Sequence, residues 1–144
     1  MPDAPDFASR QHTVLVVDDS AEDLQILNDL LSEAYNVRIA KNGEQALQAA
    51  LQRPKPELIL LDIMMPDLDG YEVCARLKVD PATADIPVIF LTAKTQAEQA
   101  QLGFDVGGAD YITKPILPAV VLARVKTHVM LKLALDFIKA GNWV

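Results

Sequence analysis

The chain has one cysteine, Cys74, and two histidines, His12 and His128, in 144 residues. A single thiol excludes an internal disulfide, and so few sulfur and imidazole ligands leave no cluster spaced for structural zinc. Cys74 reads as a small apolar packing residue. Basic side chains are scarce as well: 13 Lys and Arg stand against 20 Asp and Glu, a formal charge of −7. That balance argues against a surface that binds nucleic acid or anionic lipid directly, since both need clustered cations. Contacts with DNA, if any, are expected to come through another domain. No apolar stretch approaches the ~20 residues that span a bilayer, and the N-terminus lacks a basic segment followed by an apolar one. The expectation is a cytoplasmic protein with no membrane contact.

What the chain does have is apolar content, 51% of residues, enough for one domain with a substantial core. Met1 to Gln11 is rich in Pro and Asp, and residues 1–12 read as a mobile lead-in. Thr13 to Val17 is a continuous β-branched and apolar run, as in a strand covered on both faces. Ser20 is a good N-cap, and Leu24, Leu27, Leu30 and Leu31 follow at helical spacing. The unit then repeats, with strands expected at 36–40, 58–61, 86–91 and 110–113. Helices are expected at 43–52, 71–79, from Thr95 to about Phe104, and from Pro118 onward. Alternating strands and helices imply an α/β fold: a doubly wound, five-stranded parallel sheet with five helices on its two faces.

In such sheets the functional crevice lies at the carboxyl ends of the strands. Asp18 and Asp19, Asp62, Thr92 and Lys114 each close an apolar run, so one rim collects them all. Asp62 can act as a nucleophile towards phosphorus. Alone it could equally be a strand-end Asp capping a turn. Asp18 and Asp19 repel unless a cation lies between them, and Mg²⁺ suits a few carboxylates plus a phosphate oxygen; alone they could serve as a helix N-terminal acidic pair. With Asp62 they outnumber Lys114 by two charges, which bound Mg²⁺ would neutralise. Thr92 offers a hydroxyl and Lys114 an ammonium to a phosphoryl group.

Four motifs occur in order: Val14-Leu-Val-Val-Asp18-Asp19; Leu60-Leu-Asp62-Ile-Met-Met-Pro66-Asp-Leu-Asp-Gly70; Ile89-Phe-Leu-Thr92-Ala93; and Gly108-Ala-Asp-Tyr111-Ile-Thr-Lys114-Pro115. Together they resemble the receiver domain of two-component response regulators over about residues 13 to 130. The resemblance implies the flavodoxin-like strand order 2-1-3-4-5, which the handful of doubly wound topologies includes. It implies Asp62 as phosphoacceptor and Asp18 and Asp19 as the acidic pair that binds Mg²⁺, with Asp19 and Asp62 as direct ligands and the backbone carbonyl of Met64 as the third protein ligand. It implies that Thr92 and Lys114 bind the phosphoryl group, that the Lys114–Pro115 bond is cis, and that Tyr111 is the switch aromatic, moving as Thr92 moves. Met64 and Lys94, two places after Asp62 and Thr92, would tune the lifetime of the modified state. The partner would be a sensor histidine kinase or phosphotransfer protein. Activity would be limited to self-phosphorylation and self-dephosphorylation.

Apolar residues continue past the domain, through Val125, Val129, Leu131, Leu135, Phe137 and Ile138 to Trp143. A helix from Pro118 to Ala140 would run about 35 Å. Residues 131–144 are therefore expected to extend helix five, either pairing with a second copy of the chain or leading to an output domain. Two rivals share parts of the pattern. A Mg²⁺-dependent phosphatase of the haloacid dehalogenase type wants a second acid two residues after its nucleophile, where this chain has Met64. A receiver-like interaction module that is never phosphorylated would not need the complete residue set.

Overall fold

The computed structural model describes residues 11–93 and 100–141. The order of elements is β1 (His12–Val17), α1 (Ala21–Leu31), β2 (Tyr35–Ala40), α2 (Gly43–Leu51), β3 (Leu58–Asp62), α3 (Gly70–Val79), β4 (Val88–Thr92), α4 (Ala100–Asp105), β5 (Asp110–Thr113) and α5 (Pro118–Lys139). The strands form one parallel sheet in the order β2-β1-β3-β4-β5. This is the doubly wound arrangement, with the chain reversing direction of travel across the sheet between β1 and β3.

Strand alternation divides the core into two layers. Leu15, Val17, Ile59, Leu61, Val88 and Phe90 face α2 and α3, meeting Ala46, Ala50, Val73 and Leu77. Val14, Val16, Leu58, Leu60, Ile89, Leu91 and Ile112 face α1 and α5, meeting Leu24, Leu27, Val121 and Val125. The three central strands are buried on both faces, which is why they read as unbroken apolar runs.

Side-chain caps start three helices. Ser20 accepts from the Asp23 N–H, Asn42 from Gln45 and Asp69 from Glu72. Pro118 opens α5, where its missing N–H is no loss.

Several boundaries depart from the sequence-based expectation. β1 begins one residue earlier, because His12 pairs with Tyr35 at the sheet edge. β4 begins at Val88 instead of Ile86, since Pro87 has no N–H and contributes only its carbonyl, which accepts from Ile59. Ile86 is nonetheless buried. The expected start of the fourth helix at Thr95, residues 1–10 of the lead-in and Trp143 lie outside the described residues. On α5, Val125 and Val129 belong to the core and not to an apolar excess beyond the domain. Met130, Leu131, Leu135 and Ile138 are exposed. Among the described residues no helix is long and apolar enough to cross a membrane.

Candidate functional site

The carboxyl ends of β1, β3, β4 and β5 lie in register, and this alignment assembles the site. Asp62 is opposite Leu91, and Thr92 is opposite Thr113. The Lys114 N–H donates to the Thr92 carbonyl at 2.7 Å, and the Ile63 N–H to Leu91 at 3.2 Å. By the two-residue period, Asp18, Asp62 and Lys114 continue the α1/α5 face, in phase with Val16, Leu60 and Ile112. Thr92 is in phase with Phe90, on the α3 side.

A tight reversal after β3 holds Asp62 in place. Gly70 begins α3 directly against the end of β3, and its N–H donates to the Ile63 carbonyl at 2.9 Å. A Cβ at Gly70 would sit 2.8 Å from the Ile63 Cα and collide with the Asp62 carbonyl, so only glycine permits this approach. Within the loop between them, Asp67 takes a left-handed conformation with φ of 69°. The short polar side chain makes that more tolerable than it would be for most residues. After β5 the Lys114–Pro115 peptide is cis; so is Arg53–Pro54, which the sequence reading did not foresee.

Oxygen atoms of Asp18, Asp19 and Asp62 lie within 4.8 Å of one another. Asp18 and Asp62 are buried and Asp19 is exposed, so the cluster opens to solvent on one side. One Asp18 oxygen accepts from the Ser20 N–H at 2.9 Å. The other, Oδ2, has no well-formed hydrogen bond among the described residues and faces the Lys114 ammonium at 3.0 Å. A buried carboxylate oxygen facing a cation, beside two more carboxylates, is a hard all-oxygen donor set that fits Mg²⁺. The Asp62 carboxyl is pushed up to about 7 by burial first and by the charge of Asp18 second, with Lys114 opposing both.

Lys114 makes three ion pairs: with Asp23 at 2.9 Å, Asp18 at 3.0 Å and Asp62 at 3.5 Å. Burial would lower its ammonium, yet bonding to Asp23 and Asp18 outweighs that and holds it above the usual lysine value. Asp23 is the residue that sequence reasoning missed. Its place in the first turn of α1 reads as a helix-dipole acid, and nothing local links it to a lysine after β5. With Asp23 counted, carboxylates exceed Lys114 by three charges instead of two.

Thr92 is buried, and its hydroxyl donates to the Ala93 carbonyl at 3.1 Å. The Tyr111 ring lies in a row of aromatics: its centroid is 5.3 Å from Phe90 and 5.4 Å from Phe104, and Phe90 is 5.2 Å from Tyr71. A Cβ at Gly103 would collide with the Tyr111 phenol, so this glycine lets α4 close over the ring. The Met64 side chain is exposed, and Lys94 lies outside the described residues.

The family described as "Response regulator receiver domain" matches residues 14–126. Among curated proteins, the "Probable cyclic di-GMP phosphodiesterase" of Vibrio cholerae is 41% identical over 132 residues, which cover 92% of this chain and 30% of that protein. The Phosphate regulon transcriptional regulatory protein PhoB of Pseudomonas aeruginosa is 44% identical over 115 residues, 79% of this chain and 50% of that protein. The chain spans half or less of the length of such relatives. Among solved structures, the receiver domain of a sensor histidine kinase from Pseudomonas aeruginosa superimposes with a TM-score of 0.75 at 25% identity. The overlap covers 83% of this chain and 98% of that one, whose active-site cleft holds a coordinated magnesium ion.

Proposed function

The chain belongs to the response regulator receiver domain family of two-component systems, and from that premise we propose that Asp62 accepts a phosphoryl group from a histidine kinase or phosphotransfer protein. The observation that carries this reading is the convergence of Asp62, Asp18 and Asp19 within 4.8 Å beside the Lys114 ammonium. Asp62 attacks phosphorus through a carboxylate oxygen, and the leaving group departs with the electrons of its bond to phosphorus. Asp18, Asp19, Asp62 and the Met64 carbonyl would hold Mg²⁺, which when bound supplies charge neutralisation and polarises the phosphoryl oxygens. Lys114 stabilises charge on the transferring group, and the Thr92 hydroxyl donates to another of its oxygens. Turnover is limited to the gain and hydrolysis of this one group.

The readout is the α4-β5-α5 face. When Thr92 turns towards a phosphoryl oxygen, the Tyr111 ring follows, leaving part of its packing against Phe104 and Gly103. Residues 13–130 make up the receiver in this reading. The exposed apolar residues of α5 after Val129 pair with a second copy or lead into an output module. A phosphatase is disfavoured by Met64, which puts a thioether where that mechanism wants an acid.

The test is incubation with Mg²⁺ and acetyl phosphate, followed by intact mass. The unmodified sequence should gain one phosphoryl mass and Asp62→Asn none. Equal labelling of both, or of neither, removes Asp62 from this role.

A further inference from the structure

The site described above leaves Asp23 without a task, although it makes the shortest of the three ion pairs to Lys114. An ammonium has three N–H donors. The two close pairs, Asp23 at 2.9 Å and Asp18 at 3.0 Å, both draw it towards the start of α1, while Asp62 stands off at 3.5 Å. The partners differ in how easily they release it. The Asp18 side chain is 0% exposed and would be left buried and uncompensated, whereas that of Asp23 is 26% exposed and can return to water. Asp23 is therefore the partner from which the lysine can be taken.

We propose that Asp23 is a positioning residue for Lys114: it holds the ammonium towards α1 in the unmodified protein and competes for it with a phosphoryl group on Asp62. This rests on Asp62 as phosphoacceptor. The competition weakens retention of the group and makes engagement of Lys114 a step separate from binding. A simpler effect could mimic it, since the Asp23 charge repels any anion in the site whether or not Lys114 is there. The two differ in their dependence on the lysine.

The experiment titrates beryllofluoride, a phosphoryl mimic, in the presence of Mg²⁺, with adduct followed by ¹⁹F NMR. Asp23→Asn keeps the side-chain shape and the backbone N–H that completes the Ser20 cap. It should tighten binding about three- to six-fold, the range of a partly exposed ion pair. Asp23→Glu should restore the original affinity. The gain should vanish when Lys114→Gln is also present. Should that background bind too weakly to titrate, melting in EDTA decides: Asp23→Asn must shift the melting temperature differently with and without Lys114→Gln. Unchanged or weaker binding by Asp23→Asn, a gain that survives Lys114→Gln, or additive melting shifts overturn the proposal while leaving Asp62 in place. An adduct absent from the unmodified sequence overturns the Asp62 reading and this inference with it.

Discussion

Asp62 is a carboxyl group whose surroundings favour its protonated form until a cation arrives. Its folded-state value of about 7 lies above the ordinary 3.8. The folded state therefore binds the proton more tightly than the unfolded chain, and the stability this contributes is present below about pH 4 and lost as pH rises through about 7. In EDTA the melting temperature should fall by about 3–6 °C between roughly pH 5 and pH 8, and Asp62→Asn should remove most of that slope. A slope unchanged in the variant would place the buried proton elsewhere. Among single residues, those at strand ends were legible because burial of a strand makes a polar terminus conspicuous. Asp23 was not, since a first-turn acid has an adequate local explanation and its partnership with Lys114 exists only once β5 has paired with β4 and the sheet brings their ends to the rim beside β1.

At the level of elements, packing of α4 onto β4 and β5 depends on two small residues and a row of rings. Gly103 admits the Tyr111 phenol, and Phe90 touches Tyr111, Tyr71 and the space of Gly103 and Gly108. Gly103→Ala should destabilise the domain by about 1–3 kcal/mol through overpacking, measured as a lowered urea midpoint. Adding Tyr111→Phe should recover part of the loss, because the phenol oxygen is the nearest obstacle to the new methyl group while the Phe90 ring remains. Strictly additive losses would show that the ring does not occupy this position. The five strands were readable from apolar runs and their order from the family resemblance. Boundaries moved where backbone hydrogen bonding had the last word, as at Pro87 and His12. The crowding of Tyr111 by α4 was not readable, because a glycine that admits a ring looks the same in sequence as one that ends a helix.

For the whole molecule, α5 carries the clearest unspent surface. Val121, Val125 and Val129 anchor it, while Leu131, Leu135 and Ile138 are exposed on a different face of the helix. If this end pairs two copies in response to Asp62, sedimentation with Mg²⁺ and beryllofluoride should show a dimer. Leu131→Gln with Leu135→Gln should abolish it while changing monomer stability by no more than about 0.5 kcal/mol per substitution, as for exposed sites. A monomer under both conditions would leave this face to a downstream module. The signalling reading as a whole depends on where phosphorus is held. Labelling with acetyl phosphate and Mg²⁺, borohydride reduction of the acyl phosphate and peptide mapping by mass spectrometry locate it directly. The expected result is reduction confined to position 62; reduction at any other carboxylate, or none, would contradict the assignment.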